Sequence, residues 1–136
     1  MTYLLDTNII SECQRRHPDP GVVEWLRSTP GHHLFLSVLV VGELRRGVEA
    51  LRRRDPVGAE APRLWLRDLV TTFSDRLLPV SAAVAEEWGR LGIPDRLPAV
   101  DSLIAATARV HGLTVVTRNV KDFERAGVPL LNPFRS

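Results

Sequence analysis

Four acidic residues stand at positions where an α/β protein can carry out chemistry. Each directly follows an apolar run that predicts a buried strand, or lies in the early turns of a predicted helix. They are Asp6, Glu43, Asp101 and Asp122. Because binding sites in open parallel sheets form beyond the carboxyl ends of the strands, we expect these four side chains to meet at one end of one sheet.

Each acid also has a structural interpretation. Asp6 has the residue type that caps a helix N-terminus, and the helix dipole alone favours Asp101 and Asp122 in first turns. Glu43 lies beside the apolar stripe of the run VLVVGELRRG, where a solvated glutamate has no clear advantage. The convergence of all four at one end of one sheet favours a shared functional site.

Clustered carboxylates repel one another and raise each other's pKa values unless a cation neutralises them. Oxygen ligands of this kind suit Mg²⁺ or Mn²⁺ rather than zinc. A hard divalent ion held by acids can bind a scissile phosphate and lower the pKa of a bound water. The acidic pattern therefore predicts metal-dependent hydrolysis of a phosphodiester.

Arginine supplies nearly all of the positive charge. Seventeen of the 18 basic residues are arginine, and the formal net charge is +2. The densest basic run contains Arg45, Arg46 and residues 52–54. Glu49 can pair with Arg45, Arg46 or Arg53 at helical spacing, which indicates a solvated face. The alternative is contact with the phosphates of a polyanion by Arg45 and Arg46, and Arg46 is favoured because it lies three residues from Glu43.

Short apolar runs alternate with helical periodicities along the chain. Strands are predicted at residues 2–5, 34–37, 77–80, 114–117 and 130–131. Helices are predicted at residues 7–14, 38–54, 62–76 and 98–111, with shorter ones after residues 21, 81 and 119. This alternation predicts an α/β fold in which helices cover both faces of a mainly parallel sheet, with residues 1–136 forming a single domain.

Several classes of protein are excluded by what the sequence lacks. The single cysteine, Cys13, cannot form an internal disulfide framework or a cysteine-rich zinc site. No apolar run has the length of a membrane span, and the first residues lack a basic leader, so we expect a cytoplasmic protein without a membrane partner. Neither a GxSxG nor a GxxxxGK[ST] motif is present. The tryptophans, Trp25, Trp65 and Trp88, are predicted to lie in the core or in an interface.

Three stretches resemble the PIN-domain ribonucleases, specifically the VapC-type toxins and their FitB-like relatives. They are YLLDTNIIS (residues 3–11), SVLVVGELRRG (37–47) and PAVDSLIAATARVHGLTVVTRNVKDF (98–123). The resemblance implies a PIN-like three-layer α/β/α sandwich with a short, mainly parallel central sheet. It also implies an endoribonuclease that requires Mg²⁺ or Mn²⁺ and serves as the toxin of a type II toxin–antitoxin system. The implied partners are RNA, a cognate antitoxin, a second copy in a homodimer or higher toxin–antitoxin assembly, and operator DNA reached only through the antitoxin.

The resemblance also implies roles for individual residues. Asp6, Glu43, Asp101 and Asp122 become the catalytic and metal-binding acids. Polar support comes from Thr7, Asn8, Thr117 and Asn119. Some relatives have an aspartate at the position of Asn119, so either Asn119 or Asp122 can be the fourth group of the site. Gly47 also matches the family pattern and leaves bare backbone one turn after Glu43.

Two other classes compete with the nuclease interpretation. A receiver-type phosphoacceptor domain has the same architecture, but it needs a second acid beside Asp6, where the sequence has Thr7 and Asn8. A non-catalytic, FitB-like binding subunit of an antitoxin–operator DNA complex would use the same acids to hold an antitoxin arginine. An assay of Mg²⁺-dependent cleavage separates this second alternative from the nuclease. In either case we expect an antitoxin segment to occupy a groove beside the acids.

Overall fold

The structure is a computed structural model, and it describes residues 1–91 and 98–135. In this part of the chain five short strands form one sheet. They are β1 (Tyr3–Leu5), β2 (Leu34–Ser37), β3 (Leu77–Leu78), β4 (Thr114–Val116) and β5 (Leu130–Leu131). The strand order is β3-β2-β1-β4-β5, and every pairing between neighbours is parallel. The predicted α/β fold is therefore confirmed.

Helices connect the strands and cover the sheet. They are α1 (Thr7–Glu12), α2 (Pro20–Ser28), α3 (Val38–Arg54), α4 (Glu60–Thr72), α5 (Ala82–Arg90), α6 (Ala99–His111) and α7 (Val120–Phe123). Successive residues of a strand point to opposite faces of its sheet. Leu4, Leu5, Val115 and Val116 are all buried, so both faces of the two central strands are covered. No helix in the described residues is long and apolar enough to cross a membrane.

The register of the central strands aligns their carboxyl ends. Leu5 lies opposite Val116, and the amide of Asp6 donates to the carbonyl of Val116 at 2.9 Å. Asp6 and Thr117, the residues that follow these two strands, therefore leave the sheet side by side.

Two predicted helices have different ends in the structure. Helix α1 ends at Glu12 rather than at residue 14, and the Glu12 carboxylate accepts the amide of Asp19 at 2.7 Å. Helix α4 spans Glu60–Thr72 rather than residues 62–76. The Arg76 guanidinium ends it by donating to the carbonyls of Thr72 at 2.9 Å and Leu34 at 3.0 Å. Both corrections come from side chains that bind backbone groups distant in sequence or beyond the helix end.

The tryptophans are not equally buried. Trp25 packs against Tyr3 with ring centroids 5.0 Å apart, and both Trp25 and Trp65 are half-buried against the core. Trp88 is 45% exposed, and its indole nitrogen donates to the Ser102 hydroxyl at 2.8 Å. Trp88 therefore does not belong to the core. Of the two places predicted for it, only an interface remains.

The C-terminal segment lies across the beginning of α2. The amide of Arg135 donates to Asp19 Oδ1 at 3.1 Å, and a Cβ atom placed on Gly21 would lie 2.2 Å from the carbonyl oxygen of Pro133. Phe134 stacks against the guanidinium of Arg118, 4.5 Å from the ring centre. Glycine at position 21 thus allows two backbone segments to approach closely.

Candidate active site

Asp6 links the end of β1 to the start of α1. Its extended backbone makes it the N-cap residue, and its Oδ1 accepts the amide of Thr7 at 2.8 Å. Its Oδ2 accepts the Thr117 hydroxyl at 2.8 Å and the Asn8 amide at 3.3 Å. The capping role and a place in a polar site thus coexist in one side chain that is only 4% exposed.

Thr117 fastens the loop after β4 to this carboxylate. The residue is fully buried, and its hydroxyl accepts the Asn8 side-chain amide at 3.2 Å and the Asn119 backbone amide at 3.0 Å. Asn8 Oδ1 in turn accepts the amide of Arg118 at 3.2 Å. The residues expected to give polar support therefore form one hydrogen-bonded network around Asp6.

Helix α3 presents Glu43 to the same end of the sheet. The Ser37 hydroxyl caps this helix by accepting the amide of Leu39 at 3.1 Å. Leu44 and Val48 are buried, and Glu43 lies half-buried beside them. The Thr7 hydroxyl donates to Glu43 Oε1, which joins the residue after Asp6 to the second acid.

The first turn of α6 brings Asp101 to the three other acids. Burial, together with the charges of Asp6, Glu43 and Asp122 in that order of importance, raises the pKa of Asp101 to about 6. Burial is also the main cause that raises the pKa of Asp6, with a smaller contribution from Glu43, while hydrogen bonds from Thr117 and Thr7 oppose the rise. The four predicted acids are therefore close enough to affect one another electrostatically.

Asn119 and Asp122, the two candidates for the fourth group of the site, are both exposed and lie in one turn. Asn119 precedes α7, and its carbonyl accepts the amide of Asp122 at 3.1 Å. Only Asp122 carries a charge, and that charge is felt at Asp101. Asn119 contributes its backbone amide to Thr117.

The donor set suits a hard divalent cation by its chemistry. In the described residues no group of three histidine, cysteine, aspartate or glutamate side chains is placed to hold one metal ion. Mg²⁺ keeps several of its waters and usually takes only one or two protein carboxylates. Carboxylates that raise one another's pKa also gain most from a cation. The acids around Asp101 therefore fit a largely hydrated ion.

A groove of about 300 Å³ opens from Glu43 and Thr7 between α1, α3 and α4. Leu44, Val48 and Leu51 contribute apolar surface to it, and Gly47 contributes bare backbone. Trp65 of α4 lines it as well as an adjoining cavity that reaches Cys13. A groove beside the acids was expected from the sequence, but the part that α4 plays in it was not, because α4 shows only an amphipathic pattern that does not identify its neighbour.

The two arginines that were expected to contact RNA phosphates have different partners in the structure. Glu49 pairs with Arg45 at 3.8 Å and with Arg52 at 3.6 Å. The expected pairing with Arg45 is present, while Arg52 takes the place expected for Arg46 or Arg53. Arg46 is exposed on the outer side of α3.

Two further buried acids were not singled out in the sequence. Glu12 accepts the amide of Asp19, and Asp19 accepts the amide of Gly21 at 2.8 Å as the N-cap of α2. Their carboxylates satisfy backbone donors and lie apart from the acids of the site. The Asp-Pro-Gly run at residues 19–21 is the signal that could have identified this cap.

A parallel sheet with clustered acids beyond its central strands defines an α/β protein with an acidic site, and comparison with known proteins identifies the family. The family model described as PIN domain matches residues 3–129, so the chain belongs to the PIN-domain family. The resemblance seen in the sequence is thereby confirmed.

Curated relatives match nearly the whole chain. Plasmid stability protein StbB of Pseudomonas syringae pv. tomato is 34% identical, with 98% of this chain and 99% of the relative covered. Toxin FitB of Neisseria gonorrhoeae is 37% identical, with 96% and 97% covered. VapC ribonuclease Y4jK of Sinorhizobium fredii is 32% identical, with 96% of each covered.

Solved structures extend the likeness to three dimensions. The crystal structure of FitAcB from Neisseria gonorrhoeae superposes with a TM-score of 0.85 at 34% identity, covering 99% of this chain and 100% of the other. The structure of FitAB bound to the IR36 DNA fragment gives a TM-score of 0.78 at 31% identity, covering 99% and 97%.

Proposed function

We propose that the protein is a Mg²⁺- or Mn²⁺-dependent endoribonuclease and the toxin of a type II toxin–antitoxin system. The observation that carries the proposal is the carboxyl of Asp101, whose pKa is raised to about 6 by burial and by three neighbouring acids at the carboxyl end of the sheet. Membership of the PIN-domain family and the ribonuclease name of a relative support the same activity.

Asp6, Glu43 and Asp101 are the residues that would hold the ion, directly or through water, with Asp122 completing the site. When bound, such an ion supplies charge stabilisation at the scissile phosphate and lowers the pKa of water. The chain's own residues orient the acids. Thr117 and the Thr7 amide hold the two oxygens of Asp6, and the Thr7 hydroxyl holds Glu43.

Cleavage of RNA by the Asp101→Asn variant tests this proposal. The substitution keeps the shape and removes one negative charge, so the chain should fold and still bind RNA through arginine–phosphate contacts. Turnover with Mg²⁺ or Mn²⁺ should collapse by at least about a hundredfold. Cleavage at the unsubstituted rate would contradict the assignment of Asp101, and an unsubstituted protein without cleavage would favour the non-catalytic binding subunit.

We further propose that a cognate antitoxin inhibits the site from the groove between α1, α3 and α4. Apolar anchors of the antitoxin would fill the surface around Leu44, Leu51 and Trp65. An arginine or lysine would then lie against the carboxylates. FitAcB and FitAB, both of which contain a relative of this chain, support such a partner, and the second structure supports operator DNA as a ligand of the joint assembly.

Alkylation of Cys13 reports whether the groove is occupied. Cys13 is the only cysteine of the chain and borders the outer cavity beside Trp65. We expect the coexpressed antitoxin to slow maleimide labelling of Cys13 strongly. Labelling at the same rate in the complex and in the free protein would place the antitoxin elsewhere.

A homodimer is the assembly that we propose for the free protein. Trp88 on α5 and Val110 on α6 expose 45% and 38% of their surface. A second copy would cover such apolar surface. Sedimentation equilibrium should give a dimer, and replacement of Trp88 by glutamate should weaken it. A monomer at all concentrations would rule the dimer out.

A further inference from the structure

Four of the five arginines of α3 fall into two groups that differ in their partners. On one side of the helix, Glu49 neutralises Arg45 and Arg52. On the outer side, Arg46 and Arg53 are exposed, and neither side chain forms an ion pair or hydrogen bond with the part of the chain that the structure describes. Both groups belong to one helix, and the difference lies in the direction taken by the Glu49 side chain.

Arg46 and Arg53 lie on one line along the helix. Seven residues correspond to about two turns, so the two are separated by about 10 Å along the axis on the same side. Arg46 is three residues from Glu43, which places it next to the acidic site on the adjoining turn. The line therefore begins at the site and runs away from it.

Small residues keep this line clear. Gly42 and Ala50 are exposed, each four residues from Arg46 on the same side of α3. A Cβ atom built on Gly42 or Gly47 would meet no heavy atom within 4 Å. Ala50 therefore leaves only a methyl group on the helix surface between the two arginines, and Gly42 leaves bare backbone on the turn before Arg46.

We propose that Arg46 and Arg53 form a phosphate-binding stripe that holds the RNA backbone as the strand leads into the acidic site. This inference rests on the proposed ribonuclease function and assigns its substrate-binding surface. Guanidinium groups bind phosphate with paired N–H donors. Glu49 lies one turn from both arginines but pairs with Arg45 and Arg52. Arg46 and Arg53 therefore keep their charge next to the clustered carboxylates and attract a polyanion to a site that would otherwise repel it.

The test compares two double variants with the same change in charge. Arg46→Gln/Arg53→Gln removes the stripe, and Arg52→Gln/Arg67→Gln removes two exposed arginines that pair with Glu49 and Asp68. Both are made in the Asp101→Asn background, and binding of a short fluorescent single-stranded RNA is followed by anisotropy at several salt concentrations. If that background fails to fold, the same series in the native background with chelator replaces it.

We expect the stripe variant to lose about tenfold in RNA affinity and the slope of log K against log salt to fall by about 1.4, which corresponds to two lost contacts with a single strand. The control variant should change neither. Equal losses in both variants, or unchanged binding by the stripe variant, would overturn the proposal. Equal affinity of the stripe for polyglutamate and for RNA would also overturn it, because the stripe would then bind any polyanion, including an acidic protein segment.

Failure of the proposed function has a different signature. If the unsubstituted protein does not cleave RNA with Mg²⁺ or Mn²⁺, the ribonuclease assignment fails whatever the two double variants do. If it does cleave, kcat/KM of the stripe variant should fall through a higher KM with kcat little changed, because the stripe binds the strand without touching the reacting atoms. A loss confined to kcat would contradict a binding role.

Discussion

At the scale of single residues, Thr117 is the group on which the geometry of Asp6 depends most. Its buried hydroxyl donates to Asp6 and accepts from Asn8 and Asn119. Thr117→Val keeps the shape and removes that hydroxyl, so the free energy of unfolding should fall by about 2 kcal/mol. Affinity for Mn²⁺ should fall about 10- to 100-fold, because a carboxylate without its supporting hydrogen bond is poorly oriented.

Denaturant unfolding and calorimetric titration with Mn²⁺ measure these two effects. Thr117→Ser is the matched control, since it keeps the hydroxyl and should stay near the unsubstituted protein in both measurements. Equal Mn²⁺ affinity in the valine and serine variants would show that Thr117 stabilises the fold without positioning the site.

Asp101 makes the stability of the metal-free protein depend on pH. Its folded pKa is raised from 3.8 to about 6, so folding disfavours the charged form. Its contribution to stability is therefore lost as pH climbs above the unfolded value, and the loss is complete above the folded value. Asp101→Asn should be more stable than the unsubstituted protein at pH 7 in chelator by about 1 kcal/mol, after allowance for solvent screening of a partly exposed group.

The two proteins should converge at about pH 3 and below, where the carboxyl is protonated in both states. Denaturant unfolding at a series of pH values measures this convergence, and Asp68→Asn on the exposed side of α4 serves as the control. A constant difference between Asp101→Asn and the unsubstituted protein from pH 4 to pH 7 would exclude titration of Asp101 as its cause.

The sequence identified the types and approximate positions of these residues but not their bonds. Four acids after strands or in early turns were enough to predict that they share one end of the sheet. The contact between Thr117 and Asp6 depends on the register of β1 against β4, which places Leu5 opposite Val116. Register between strands more than a hundred residues apart leaves no local pattern in the sequence.

At the scale of elements, the strands were predictable and the helix ends were not. Strands that are buried on both faces have continuous apolar sequences. This pattern predicts the strands at Tyr3–Leu5 and Leu34–Ser37. The ends of α1 and α4 depend on Glu12 and Arg76, whose side chains bind backbone groups outside the helices they end. Leu34 lies 42 residues before Arg76, outside any local window of sequence. The contact of Glu12 with Asp19 is local but leaves no periodic pattern that would predict it.

Two glycines in helices should respond to alanine in opposite directions. A Cβ atom on Gly42 would meet nothing within 4 Å, so Gly42→Ala should raise the free energy of unfolding by about 1 kcal/mol through helix propensity. A Cβ atom on Gly21 would lie 2.2 Å from the carbonyl oxygen of Pro133. Gly21→Ala should therefore displace the C-terminal segment and lower stability by about 2 kcal/mol.

Denaturant unfolding of the two variants in parallel provides the comparison. Because both substitutions replace a helical glycine with alanine, the difference between them measures the steric clash at position 21 against the gain in helix propensity. If Gly21→Ala were as stabilising as Gly42→Ala, the C-terminal segment would not be packed against α2 in solution.

At the scale of the whole molecule, the distribution of charge matters more than its sum. The net charge is only +2, and exposed pairs such as Arg63 with Glu60 or Arg90 with Glu86 contribute little to stability. The acids around Asp101 are the exception, because partial burial prevents water from screening them. Repulsion between carboxylates is thus concentrated at one end of the sheet, whereas many charges elsewhere on the surface form ion pairs.

Binding of a divalent cation should relieve that repulsion and stabilise the entire fold. A ligand at a hundred times its dissociation constant adds about 2.7 kcal/mol, and each kcal/mol raises the Tm of a domain of this size by roughly 3–5 °C. Mn²⁺ should therefore raise the Tm by several degrees, and by about 10 °C near saturation. Asp6→Asn and Asp101→Asn should flatten this response, whereas Asp68→Asn should keep it.

Thermal melts in chelator and in Mn²⁺ measure the response of all four proteins. Asp101→Asn should also melt higher than the unsubstituted protein in chelator, because it removes a charge from the cluster without removing a cap. Asp6→Asn replaces one carboxylate oxygen with an amide nitrogen, so either the Thr117 hydroxyl or the Thr7 amide loses its acceptor. Its gain in chelator should therefore be smaller. If the unsubstituted protein melts at the same temperature with and without Mn²⁺, the acids do not form a metal site, and Asp6 is left with its role as the cap of α1.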